Sequence, residues 1–155
     1  MSSAKVFHEL QPMVGARCAV AGRASTSSKC RLTHPRFEHE KIYIVRAAGR
    51  WNEEKLRVLR GPVEMPDGYV TRPVPVEVVR LGDDNVHVLC FHLREGRKRQ
   101  IRYMCSAAHL VVLSLKRVAV GALRLPDDLK PGEWRDLSSA EVEAALSRAV
   151  RRRRE

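Results

Sequence analysis

The feature that most restricts how this chain can fold lies between Val86 and Met104. The run Val86-His87-Val88-Leu89-Cys90-Phe91-His92-Leu93 is largely apolar at both odd and even positions. That suits a strand central in its sheet, covered on both faces. It continues into Arg94-Glu95-Gly96, where glycine permits a turn, and then into Arg97-Lys98-Arg99-Gln100-Ile101-Arg102-Tyr103-Met104. The pattern predicts a helix whose first turns are densely basic. A strand that delivers a glycine and then a row of cations is suited to hold a polyanionic backbone, and helix N-terminal N–H groups also favour negative charge.

A central strand needs neighbours, and the flanking segments supply them. Lys41 to Arg46 sets Ile42 and Ile44 on one face and Tyr43 and Val45 on the other, a β-branched and aromatic density that reads as a strand ended by Gly49. Asn52 caps a predicted helix through Leu59, with Glu53 and Glu54 placed against its dipole and Trp51 and Leu56 as a hydrophobic staple. Gly61-Pro62 stops it. Met65-Pro66-Asp67-Gly68 is a turn signal, Val74 to Leu81 alternates again, and Gly82-Asp83-Asp84-Asn85 turns into the central strand. Beyond the basic helix, Leu110 to Val120 is β-rich, Gly121 to Leu125 adds a short strand, and Trp134 begins another extended piece. Ser138 and Glu141 form a capping box, followed by the apolar stripe Val142, Ala145, Leu146 and Ala149 of a closing helix. The sum is an α+β fold with a mixed, mainly antiparallel sheet and two to three short helices.

Residues 1–30 carry no sustained period of either kind and are read as an irregular or disordered segment; their Ser- and Arg-rich, acid-poor character also fits an organelle transit peptide. The folded domain is expected over 31–150, with 151–155 as a basic tail.

Charge narrows the partners. The 155 residues carry a formal net charge of +11, which favours acidic partners, RNA or DNA first. No apolar run approaches a membrane span and no broad amphipathic basic helix is visible, so no membrane partner is expected. The four cysteines (Cys18, Cys30, Cys90 and Cys105) stand far apart, and the six histidines make no ligand spacing. That pattern fits a reducing interior, without zinc or another metal.

Five segments taken together resemble the bacterial-type rRNA pseudouridine synthases of the RsuA/RluB/RluE class. They are Arg31-Leu32-Thr33-His34-Pro35, Glu40-Lys41-Ile42-Tyr43, Glu95-Gly96-Arg97-Lys98-Arg99-Gln100-Ile101-Arg102, Leu115-Lys116-Arg117-Val118 and Pro131-Gly132-Glu133-Trp134-Arg135. The resemblance implies a mixed, mainly antiparallel sheet with an RNA cleft across it. It implies isomerisation of a uridine to pseudouridine in RNA, ribosomal RNA first, without any cofactor. The target base is flipped from its stack, and an aspartate attacks the nucleotide. Tyr43 falls at the tyrosine that lies against the flipped base and helps in proton removal. Arg102 falls at the cation that pairs with the catalytic carboxylate and keeps it ionised. Lys41, Arg97, Lys98, Arg99, Lys116 and Arg117 would bind RNA, chiefly as phosphate contacts that position it without reading sequence. The resemblance further implies a monomer and an intracellular site, in the cytoplasm or in an organelle such as a mitochondrion or plastid.

The sequence departs from the pattern at the nucleophile. Where the family has Gly-Arg-Leu-Asp, this chain has Gly22-Arg23-Ala24-Ser25, and no aspartate occurs before Asp67. Three explanations compete: a member that kept the RNA cleft and lost catalysis, a piece or faulty gene reading of an active enzyme, or a carboxylate from elsewhere such as Asp67. The alternative function is a non-enzymatic RNA-binding protein, a ribosome-associated remnant of a synthase.

Overall fold

The computed structural model of the chain describes residues 4–9, 17–22, 38–130 and 132–151. Their elements are β1 (Ala4–Glu9), β2 (Arg17–Gly22), β3 (Lys41–Ala48), α1 (Glu53–Arg60), β4 (Val76–Arg80), β5 (Val86–Leu93), α2 (Gln100–Ala107), β6 (Val111–Val120), β7 (Leu123–Arg124), β8 (Trp134–Leu137) and α3 (Ser139–Arg151). This is the α+β class that the alternation and capping signals predict. The paired strands β1–β2, β1–β8, β4–β5 and β6–β7 are all antiparallel. The chain divides into two compact units, residues 42–115 and residues 1–41 with 116–155.

In the unit of residues 42–115, β5 has β4 on one side and β3 on the other, and β3 is followed by β6. The largely apolar run of β5 explains its place: Leu89, Cys90, Phe91 and Leu93 are buried, and a strand buries successive residues only where both faces of its sheet are covered. Val45 and Ala47 of β3, Val76 of β4, Leu59 of α1 and Ile101, Met104 and Cys105 of α2 complete the core. Burying a side chain of this size fully contributes about 1.5–3 kcal/mol each. The cap of α1 forms as its sequence predicts, with the Lys55 N–H donating to Asn52 Oδ1 at 3.0 Å. The Arg60 guanidinium donates through Nε (2.9 Å) and Nη2 (2.7 Å) to the Val76 carbonyl, tying the end of α1 to β4.

Between α1 and β4 the chain makes a small antiparallel loop. Glu64 bridges Val70, the Thr71 N–H reaches the Val63 carbonyl at 2.9 Å, and buried Thr71 Oγ1 accepts from the Val63 N–H at 2.9 Å. Its tip is the predicted Met65–Gly68 turn, closed by a 2.9 Å bond from the Gly68 N–H to the Met65 carbonyl.

In the other unit, β1 pairs with both β2 and β8. This corrects the expectation that residues 1–30 are irregular throughout. The alternation in Ala4–Glu9 and Arg17–Gly22 is too short to stand out, and their pairing is completed by β8, far along the sequence. The Leu-Thr-His-Pro turn, the Arg23-Ala24-Ser25 segment and the tail beyond Arg151 lie outside the described residues. At the start of α3 the capping box is reciprocal: the Ser138 N–H donates to Glu141 Oε2 at 2.8 Å and the Glu141 N–H to Ser138 Oγ at 3.2 Å.

A candidate RNA-binding cavity beside the basic turn

The row of cations does not occupy the first turns of the helix. The α2 helix begins at Gln100, and Arg97, Lys98 and Arg99 form the turn before it. Arg99 has φ 60°, in the left-handed region, which a helix cannot propagate through. Gln100 supplies the local reason for the break. Its Oε1 accepts from the Arg97 N–H at 3.2 Å, and its Nε2 donates to Glu95 Oε1 at 2.6 Å, so its amide bridges the turn. The cations are therefore presented on a turn rather than spread round a helix.

Beside this turn is an open cavity of about 130 Å³. Tyr43 from β3, Leu93 from the end of β5, Gly96, Arg97 and Arg99 from the turn, Gln100, Ile101 and Arg102 from α2, and Leu115 from β6 line it. Tyr43 and Arg102, the two side chains singled out for catalysis, thus meet in one place together with Arg97 and Arg99. Lys98 is exposed in the same turn and does not line the cavity. The lining joins buried aliphatic Leu93 and Ile101 to exposed Arg97 and Arg99, an arrangement that accepts a flat, partly apolar group attached to an anion. Among the described residues no carboxylate lies within ion-pairing distance of Arg102. Arg102 lies near Cys105 and its charge opposes the effect of burial there, but burial dominates and pushes the Cys105 thiol up to about 12. That thiol is a core group.

Asp67, the carboxylate considered as a relocated nucleophile, stands at the turn of the neighbouring loop. Its Oδ2 is 3.5 Å from Arg97 Nη1, its Oδ1 accepts from the Tyr69 N–H at 3.1 Å, and it is not among the cavity-lining residues. Glu95, which the sequence reading left without a role, accepts from Tyr69 Oη at 2.7 Å and from the Arg72 N–H at 3.2 Å as well as from Gln100. That hydrogen bond to Glu95, and after it partial loss of solvent, raises the Tyr69 phenol above its ordinary range.

Lys41, Lys116 and Arg117 belong to the other unit. Lys41 Nζ donates to the His39 carbonyl at 3.0 Å. Burial first, and then the nearby Arg117, lower the Lys41 ammonium, with Glu38 opposing. Arg117 has a buried Nε without a partner among the described residues. An approaching anion would offset the effect of Arg117 on the Lys41 ammonium.

No family model matches the chain. Curated relatives do. The chain is 38% identical over 122 residues to an uncharacterised RNA pseudouridine synthase of Aquifex aeolicus, covering 78% of this chain and 48% of that protein. It is 33% identical over 150 residues to ribosomal large subunit pseudouridine synthase B of Vibrio vulnificus, covering 88% and 46%. To ribosomal large subunit pseudouridine synthase E of the same organism it is 34% identical over 123 residues, covering 71% and 52%. The chain therefore spans about half the length of the curated relatives it matches. Among solved structures, a crystal structure of pseudouridylate synthase superposes with a TM-score of 0.78 at 19% identity, over 94% of this chain and 74% of that one. At that identity the likeness speaks for the fold.

Proposed function

The chain belongs to the rRNA pseudouridine synthase family of the RsuA/RluB/RluE type, and from that membership we propose that it binds RNA at the Tyr43–Arg102 cavity and isomerises a uridine there to pseudouridine. The observation that carries this reading is the convergence on one cavity of Tyr43 from β3 with Arg97, Arg99 and Arg102, which lie together far along the sequence. A duplex or structured RNA must release the target base before chemistry, at a cost of a few kcal/mol. Tyr43 would receive the face of that base, with Leu93, Ile101 and Leu115 excluding water behind it. Arg97 and Arg99 would hold flanking phosphates, and Lys98 with the Lys41, Lys116 and Arg117 group would add further backbone contacts. Arg102 would stabilise the ionised form of the carboxylate that attacks the nucleotide. No cofactor enters this chemistry. The same reading puts the protein inside a cell, in the cytoplasm or an organelle, acting as a monomer on ribosomal RNA.

A second reading rests on one specific feature. No aspartate precedes Asp67, and Gly22-Arg23-Ala24-Ser25 stands where the family has its nucleophile. A carboxylate cannot be replaced by an unactivated serine in this reaction. On that ground the chain is an RNA-binding member without catalysis, using the same cations.

Tritium release from 5-tritiated uridine in rRNA transcripts separates the two. Release by the wild-type chain that is abolished in Arg102→Ala is expected of the enzyme. Salt-sensitive RNA binding with release at background would establish the binding protein in its place. Release retained in Arg102→Ala would refute the role given to that residue.

A further inference from the structure

The loop of residues 63–71 and the basic turn meet at one unusual junction. The Arg97 guanidinium lies over the Tyr69 ring, its carbon 3.7 Å from the ring centroid, and Asp67 Oδ2 is 3.5 Å from its Nη1. The Tyr69 hydroxyl is bound by Glu95 (2.7 Å), Glu95 by the Gln100 amide (2.6 Å), and the same amide accepts from the Arg97 main-chain N–H (3.2 Å). These contacts close a ring that begins and ends on Arg97. Both the backbone and the side-chain tip of this residue are held.

We propose that Tyr69 is a positioning residue that fixes the plane of the Arg97 guanidinium at the cavity rim for an RNA phosphate, and that Asp67 occupies the guanidinium until that phosphate displaces it. The inference rests on the RNA-binding reading above and names a device within it. Three physical points carry it. Stacking on an aromatic face leaves the in-plane N–H donors of arginine available, and a guanidinium whose plane is fixed loses less freedom on gripping a phosphate. The Asp67 contact is long and made between half-exposed groups, with side-chain exposures of 47% for Arg97 and 57% for Asp67. Such a pair holds its partner weakly and is readily exchanged for a stronger anion. Finally, Asp67 is itself fixed by the Tyr69 N–H at 3.1 Å, so the competing carboxylate and the stacking ring come from the same turn.

The test is fluorescence anisotropy with a labelled single-stranded, uridine-containing RNA oligonucleotide, titrated over a sodium chloride series. Wild type, Arg97→Gln, Tyr69→Phe, Tyr69→Leu and Asp67→Asn are compared. Arg97→Gln is expected to lower the slope of log affinity against log salt by about 0.7, the loss of one phosphate contact on a single strand. Tyr69→Leu should weaken binding about 2- to 5-fold and lower the slope in the same direction, whereas Tyr69→Phe, which keeps the ring, should retain the wild-type slope. Asp67→Asn should bind about twofold more tightly at low salt. A purely structural role for Tyr69 would lower the melting temperature and leave the slope alone, and that result overturns the proposal while RNA binding stands. Weaker binding by Asp67→Asn overturns it too, and this variant still decides the matter if Tyr69→Leu does not fold. If the wild-type chain binds no RNA, the functional reading itself falls and the positioning role falls with it.

Discussion

Tyr43 on β3 and Arg102 in the first turn of α2 line the same cavity, although 58 residues separate them in sequence. The roles proposed for them differ, so their variants should differ. Arg102→Ala should cut turnover by about two orders of magnitude or more, since it removes charge stabilisation of the attacking carboxylate, while RNA affinity falls only a few-fold. Tyr43→Phe keeps the face offered to the base and removes the hydroxyl, to which the family resemblance gives a part in proton removal, and should reduce turnover by about 10²-fold at nearly unchanged affinity. Single-turnover tritium release alongside anisotropy separates these effects. Equal losses in binding and release for both variants would count against distinct roles.

Gly49 is required by its backbone. It has φ 143°, and a Cβ placed on it would come within 2.9 Å of Leu110 Cδ2 and 3.0 Å of the His109 carbonyl oxygen. Its N–H also donates to the Asn85 carbonyl at 2.9 Å, joining the end of β3 to the turn before β5. Gly49→Ala should therefore destabilise by about 1–3 kcal/mol, from strain and the close contact with His109 and Leu110. Urea unfolding followed by circular dichroism measures it. A midpoint shift of the opposite sign would mean that the loop gives way without cost.

Acid should loosen the start of α3. Glu141 accepts from Arg135 through both carboxylate oxygens and from the Ser138 N–H, and the Arg135 guanidinium above all holds its carboxyl down at about 2. A carboxylate whose pKa is depressed on folding adds stability above its unfolded value, and that stability is lost as pH falls toward the folded value. The window here runs from the ordinary glutamate range near 4.5 down to about 2. The groups are about one-third exposed, so solvent screening limits the effect, and Glu141→Gln should cost about 1 kcal/mol at pH 7. The difference from wild type should vanish near pH 2. Thermal melts across that range would detect a failure to converge.

What the sequence made legible were features whose physical cause is local. Val86–Leu93 is a strand because its apolar residues leave no solvent face, and Asn52 and Ser138 cap helices because their side chains reach an N–H three residues on. The cavity's Tyr43, Arg97, Arg99 and Arg102 were found by motif, not by periodicity. The β1–β2 pair was missed because its partner β8 is supplied from the far end of the chain. The helix starts later than its basic run predicts because the left-handed Arg99 and the Gln100 bridge are properties of the folded turn. Tyr69 went unnoticed for a related reason: its contact with Arg97 exists only once the 63–71 loop is folded against the basic turn. Glu95 lay inside a recognised segment, and its acidic character amid five nearby cations was the available clue.

The thiol beside Arg102 is protected from alkylation by its burial. Cys105 is fully buried against the core, and burial raises its pKa to about 12 in spite of the opposing charge of Arg102. A thiol that remains protonated and inaccessible at neutral pH is a poor nucleophile. Iodoacetamide at pH 8 should therefore leave Cys105 unmodified in the native chain, and alkylate it only at the rate at which the unit of residues 42–115 opens. Peptide-level mass spectrometry with and without urea reads this directly. Cys105→Ser would place a hydroxyl among apolar neighbours and should cost about 1–3 kcal/mol without changing RNA affinity. Rapid alkylation in the native state would mean that α2 does not pack as described, and the orientation of Arg102 into the cavity would have to be reconsidered with it.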